Sequence, residues 1–154
     1  MSGTEIRRTG YLDPVARTLV DAAMADLAVR YGSGDDTPVE PAEFAPPAGD
    51  FLVAYLDGVP VGCGGWRSHG PDGRVAEIKR MFTRAGARRR GVGLALLLAV
   101  EDSARAAGRT RTALETGTLQ PEAIAMYEAA GYERIPNFGY YRDEPGAGCY
   151  GRQL

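Results

Sequence analysis

The chain has one histidine, one tryptophan and two cysteines among 154 residues. Cys63 and Cys149 belong to no CxxC pair, and His69 sits alone in a Gly/Pro-rich turn, so neither a metal site nor a Cys-His nucleophile is expected. Isolated thiols are mostly packing residues, and a turn histidine is most simply solvated. An excess of charge of one sign is also missing. The 18 basic residues face 20 acidic ones, a net charge of −2, which gives no global positive field for nucleic acid or an anionic membrane. Lys79 is the single lysine, a bias towards arginine that we take as genomic. The longest apolar run, residues 92–100 with a glycine inside it, is far shorter than the ~20 residues a bilayer requires. The opening MSGTEIRRTG has neither an apolar core nor a small-residue cleavage site, so the expected location is cytoplasmic.

What is present is ordinary globular material. Hydrophobic residues at 44% and charged residues at 25% suit one domain over residues 1–154, burying roughly two-thirds of its unfolded surface. Residues 5–9 read as a short first strand. Asp13-Pro14 supplies an N-cap followed by proline at the first helical position, opening a helix with an apolar stripe through Val15, Leu19, Ala23 and Leu27. It should run to about Tyr31, with Gly32 as its stop. Residues 34–50 hold four prolines and five acids without a base and are expected to form a long surface loop. Asp57-Gly58 marks a tight hairpin between residues 51–55 and 59–66.

A second turn at residues 69–73 returns into residues 75–83. There Ala76 and Ile78 alternate in one phase, and Met81 and Thr83 in the other. A β-bulge near Lys79-Arg80 produces such a slip, and so does a strand buried on both faces. Residues 91–107 read as a helix that is apolar at first, amphipathic from Glu101 and ended by Gly108. Residues 110–115 form a strand, 121–130 a helix ended by Gly131, 132–135 a strand, and 149–154 a last strand. Strand, helix, strand, helix, strand implies parallel crossovers.

Arg88, Arg89 and Arg90 stand immediately before the helix that opens around Gly91, and no acid lies between Glu77 and Glu101. Cations at the positive end of a helix dipole cost on the order of 0.3–1 kcal/mol each unless an anion sits between them. A bound phosphate-bearing ligand resolves the conflict, because Gly91 and Gly93 lack Cβ atoms and let backbone amides approach phosphate oxygens. A P-loop is excluded: residues 86–91 have its GxxxxG spacing, but Val92 and Gly93 stand where Lys and Ser/Thr are required. A dinucleotide fingerprint would need a third small residue where Leu96 stands. A basic surface turn before a core helix is the remaining local reading.

The stretch AEIKRMFTRAGARRRGVGLALL resembles the acetyl-CoA-binding motif of the GNAT superfamily of N-acetyltransferases. Its Arg/Gln-x-x-Gly-x-Gly/Ala pattern is met by Arg88, Gly91 and Gly93. The later stretch LETGTLQPEAIAMYEAAGYERI resembles the family's next strand, helix and strand, so the resemblance spans most of the chain. It implies an α/β GNAT fold: a mixed central sheet of about six to seven strands, about four flanking helices, and parallel fourth and fifth strands that splay apart.

The resemblance also implies a site. Acetyl-CoA, with no metal, would lie in the splay with its pantetheine arm along the backbone of Met81, Phe82 and Thr83. Arg88, Arg89, Arg90, Gly91, Val92, Gly93 and Leu94 would hold the pyrophosphate. Gln120 stands where family members often carry asparagine beside the arm. An N–H of Met81 or Phe82 would face the thioester oxygen. Tyr127 matches the helix tyrosine that protonates the leaving sulfur, with packing beside Ala123, Met126 and Ala130 as its other reading. An alkylammonium acceptor with a pKa of about 10 must first lose a proton. Glu77 and Glu115 are the candidate bases.

The implied acceptor is a small-molecule primary amine, such as an amino acid, polyamine or aminoglycoside. A protein N-terminus or lysine is the competing substrate, and a non-catalytic acyl-CoA-binding module is the alternative class. Residues 34–50 and 136–148 would bound the acceptor. Asp35, Asp36, Glu40, Glu43 and Asp50 would either attract a polycation or form a solvated loop. Phe138, Tyr140 and Tyr141 would floor an apolar pocket or fill a hairpin core. No nucleic-acid or membrane partner is expected, and homodimerisation is left open.

Overall fold

Asp13 caps the first helix as the sequence predicts. Its carboxylate accepts the Val15 amide at 2.9 Å, Pro14 follows it, and helix α1 (Pro14–Tyr31) runs until Gly32 turns left-handed at φ 85°. The computed structural model describes residues 3–154, and Met1 and Ser2 lie outside the described residues. The strands are β1 (Thr4–Arg8), β2 (Gly49–Leu56), β3 (Val59–His69), β4 (Val75–Thr83), β5 (Arg111–Gly117), β6 (Glu133–Ile135) and β7 (Ala147–Gln153). The further helices are α2 (Val92–Ala106) and α3 (Pro121–Ala129), with two 3-10 turns at Pro41–Phe44 and Ala85–Ala87. One seven-stranded sheet has the order β1-β2-β3-β4-β5-β7-β6. Among the described residues β4 and β5 are the parallel pair and the other pairings are antiparallel. No helix among them is long and apolar enough to cross a membrane.

Two expectations need correction. The described residues hold three α-helices rather than about four. Pro38, Pro41, Pro46 and Pro47 lack amide donors, so the connection after α1 closes one 3-10 turn and no helix. That connection is also shorter than expected, since Gly49 and Asp50 already belong to β2. The second correction concerns the crossover through α3. β6 runs in the same direction as β5 but is not its neighbour, because β7 inserts between them and pairs with both.

The sheet is buried on both faces. In β2, Phe51 and Val53 pack with Ala16 and Leu19 of α1, while Leu52, Ala54 and Leu56 pack with Leu96, Leu97 and Val100 of α2. Each such large side chain contributes about 1.5–3 kcal/mol on burial. The alternation also explains why β2 reads as a nearly continuous apolar run.

The sheet opens at β4. Gly65 pairs with Lys79 and Cys63 with Phe82, so Arg80 and Met81 together oppose Gly64. This is the bulge to which the phase slip points. Arg80 is left-handed there, at φ 63°, and the Cys63 thiol donates to its carbonyl oxygen at 3.3 Å. β4 pairs with β5 only through Val75, Ala76 and Glu77. From Ile78 onward that edge of β4 has no strand beside it.

Candidate active site

The splay opens a cleft of about 530 Å³. Residues 78–82 of β4 form one wall and residues 114–117 of β5 the other, with α1 and α3 closing the remaining sides. Met81, Phe82, Glu115, Gln120 and Tyr127, widely spaced in the chain, all line it. Glu77 does not, lying instead in an adjoining recess. Gln120 Nε2 donates to Thr116 Oγ1 at 3.3 Å, which fixes the amide beside the fifth strand.

Thr83, at the end of β4, and Arg88 through Leu94, which lead into α2, lie beyond the cleft lining. Gly91 turns left-handed at φ 79°, no side chain caps the helix, and its first turn contains no acid. The first amides of a helix have no intrahelical acceptor, so those of Val92, Gly93 and Leu94 are available to a ligand. Arg88 Nε donates to the Thr83 carbonyl at 3.2 Å, and its guanidinium lies 3.7 Å from Asp26 of α1. A Cβ on Gly93 would sit 3.1 Å from Met126 Sδ and 3.7 Å from Thr83 Oγ1, so the helix terminus adjoins the end of β4 and α3. Uncapped amides, three arginines and an unpaired strand edge leading to them fit a phosphate group on an extended arm.

Tyr127 is buried, and burial pushes its hydroxyl well above the ordinary phenol range. Its ring lies 5.6 Å from that of Tyr132. Tyr132 in turn donates to Glu101 at 2.8 Å and accepts from Thr112 at 2.8 Å, while Arg152 closes the chain on Glu101 at 2.8 Å. Glu115 has no hydrogen-bond or ion-pair partner among the described residues. Burial pushes its carboxyl upward, and the negative charges of Asp35 and Glu77 add to the rise against the opposing pull of Lys79. Glu77 is committed elsewhere, accepting from Arg67 Nε at 2.9 Å. Burial pushes the Cys63 thiol up to about 12, so it stays protonated in its packing role at the bulge.

Residues 16–132 match the model of the acetyltransferase (GNAT) family, three-quarters of the chain. The chain belongs to the GNAT family. An IAA acetyltransferase from Azospirillum brasilense is 34% identical over 145 residues, covering 94% of each chain. A Klebsiella pneumoniae structure described as a candidate acyl-CoA N-acyltransferase superposes with a TM-score of 0.81 at 25% identity, covering 98% of this chain and 97% of that one. The PaiA N-acetyltransferase of Thermoplasma acidophilum, solved in complex with coenzyme A, shares the fold with a TM-score of 0.72 at 16% identity, covering 99% of each. The activity that comes with this membership is acyl-CoA-dependent acetyl transfer.

Within this GNAT cleft the structure brings Lys79, Arg80 and Asp35 together, a grouping that sequence reasoning did not single out. Lys79 Nζ binds Asp35 at 2.9 Å, and Arg80 binds the same carboxylate. The Lys79 and Arg80 side chains are only 7% and 5% exposed. Burial works to raise the Asp35 carboxyl, but the Lys79 charge and the Thr37 hydrogen bonds outweigh it and hold the group at about 2. Three of the five loop acids are therefore engaged rather than solvated: Asp35 binds the bulge, Glu43 binds Arg67, and Asp50 binds Arg8 and Ser103, while Asp36 and Glu40 are exposed. A recess of about 90 Å³ shares Lys79, Glu115 and Tyr141 with the cleft. Phe138, Tyr140 and Tyr141 line it. His69 does so too, as the last residue of β3 with its ring 4.8 Å from Phe138, rather than as a solvated turn residue. A lone lysine beside a phase slip was the one local signal for Lys79.

Proposed function

We propose that the chain, as one domain over residues 1–154, transfers an acetyl group from acetyl-CoA directly to the primary amine of a small molecule. The observation that carries this reading is the meeting of three features in one cleft: the unpaired edge of β4, the unpartnered Glu115 carboxylate and the buried Tyr127 hydroxyl. Acetyl-CoA supplies the activated thioester. The backbone of Met81, Phe82 and Thr83 takes the extended arm as a strand would. Arg88, Arg89 and Arg90 and the amides of Val92, Gly93 and Leu94 counter the diphosphate, with Gly91 making the turn. Gln120 faces the arm.

Around the reacting atoms, an amide of Met81 or Phe82 beside the bulge donates to the thioester oxygen. Glu115 takes the proton from the acceptor ammonium, and its raised pKa narrows the gap to the amine. Glu77, engaged with Arg67, orients that arginine rather than moving a proton. Tyr127 keeps its proton through burial and gives it to the departing sulfur. The name of the 34%-identical relative, an IAA acetyltransferase, and the narrow recess beside Glu115 both support a small acceptor.

Acetyl-CoA-dependent thiol release across small amines and short peptides tests the reading. Small amines are expected to react and peptides not. Tyr127→Phe should lower kcat about 100-fold while leaving coenzyme A binding within twofold. Peptide-only turnover, or full turnover by Tyr127→Phe, would overturn it.

A further inference from the structure

The charged side chains of the recess are unevenly paired. Arg67, Lys79, Glu77 and Glu115 line it, with His69 counted as neutral at pH 7, and Arg80, Asp35 and Glu43 complete the surrounding ion pairs from outside it. Each of the three cations is ion-paired. Arg67 gives its Nε to Glu77 at 2.9 Å and an NH1 to both Glu43 at 3.1 Å and the Pro38 carbonyl at 2.9 Å. Lys79 and Arg80 share Asp35. Three of the four carboxylates are occupied in the same way. The remainder is Glu115, which lines both cavities and makes no hydrogen bond or ion pair among the described residues.

Such a site leaves one carboxylate without an ion pair and offers no unpaired cation. Burying a carboxylate without a partner costs far more than burying a neutral group, so an acceptor that brings its own carboxylate meets no cation to receive it. The rest of the lining is flat and apolar: Phe138, Tyr140 and Tyr141, with the His69 ring on Phe138. Glu77, the other carboxylate of the recess, is held by Arg67, so a second or third ammonium along a chain meets no free counterion there.

We infer that the acceptor is a compact monoamine with a flat apolar or aromatic body and no carboxylate, and that the ion pairs already formed around Glu115 exclude α-amino acids and polyamines. The inference rests on the proposed amine acetylation and narrows it. Glu115 receives the ammonium as its ion-pair partner. The aromatic walls receive the body. Arg67, Lys79 and Arg80 act as specificity residues by being already engaged, so they reject rather than attract.

The test compares 2-phenylethylamine, phenylalanine and spermidine as acceptors with acetyl-CoA and the whole chain. The expected kcat/KM for phenylethylamine exceeds that for phenylalanine by about 100-fold or more, because the carboxylate of phenylalanine is left unpaired. Phenylalanine or spermidine reacting as well as phenylethylamine overturns the inference and leaves amine acetylation standing. Silence from all three, and from other primary amines, with coenzyme A still bound, overturns both. Glu43→Gln provides a second reading, since Glu43 lines neither cavity and holds Arg67 from the outside. Freeing part of Arg67 should shift the phenylalanine-to-phenylethylamine ratio about tenfold towards the amino acid. An unchanged ratio in a folded Glu43→Gln protein counts against the inference.

Discussion

Asp35 is the residue on which the loop between α1 and β2 depends. It neutralises two side chains at the bulge that are almost wholly buried, so removing its charge leaves both without a counterion. Asp35→Asn is expected to cost about 3 kcal/mol of stability at pH 7. The pH dependence has a definite sign. The folded pKa, about 2, lies below the unfolded value, so the contribution is complete above about pH 4 and is lost as the pH falls towards 2. At most about 2 kcal/mol disappears in that window. Urea midpoints of the two proteins should therefore converge between pH 4 and pH 2.5, and a gap independent of pH would refute the assignment. Little of this was legible in the sequence, because Asp35 and Lys79 are 44 residues apart and form no motif. Tyr127 was legible, since its position relative to the cofactor turn lies within a local pattern. Glu77 and Glu115 were equal in sequence and differ only through Arg67, which meets one and not the other.

Elements whose causes are local were read correctly. The Asp13 cap and the Asp57-Gly58 hairpin each follow from a few adjacent residues, and the phase slip in β4 offered the bulge as one of two readings. The insertion of β7 between β5 and β6 was not legible, because strand order is decided by which apolar faces meet after the chain has turned back. Helix α2 makes a prediction of its own at its N-cap. Gly91 is left-handed at φ 79°, and a Cβ there would meet nothing within 4 Å, so an alanine pays only for the backbone conformation. Gly91→Ala should cost about 1–2 kcal/mol. In an assay, KM for acetyl-CoA should rise with kcat nearly unchanged, since the turn sets the amides and not the reacting atoms. Gly65→Ala is different in kind. Its Cβ would lie 2.6 Å from the Asp50 carbonyl and from the Phe51 ring, so β2 and β3 would have to separate. A Gly91→Ala protein with unchanged KM would show that the turn does not hold the diphosphate.

The whole molecule is a sheet in two parts, β1 to β4 and β5 to β7, joined by three residue pairs between β4 and β5. Helix α1 links them across the cleft: Arg30 donates to the Leu119 carbonyl at 2.9 Å, and the Leu119 amide donates to the Tyr31 hydroxyl at 3.0 Å. A second link joins the Asp36 amide to the Tyr141 hydroxyl at 2.7 Å. A ligand lying along the free edge of β4 would fill the gap that these links span. It binds the folded state alone, and at 100 times its Kd adds about 2.7 kcal/mol of stability. The distribution of that gain distinguishes the proposed pose from binding elsewhere. Amide hydrogen exchange with and without coenzyme A should slow most at residues 78–83 of β4, residues 114–117 of β5 and the first turn of α2, because the edges of β4 and β5 that face the splay lack a strand partner and the first amides of α2 lack a cap. The hairpin of β2 and β3, paired on both sides, should change little beyond the global shift. Protection spread evenly over the sheet, or confined to the arginines before α2, would mean that the arm does not lie in the splay, and the roles assigned to Met81, Phe82 and Tyr127 would fall with it.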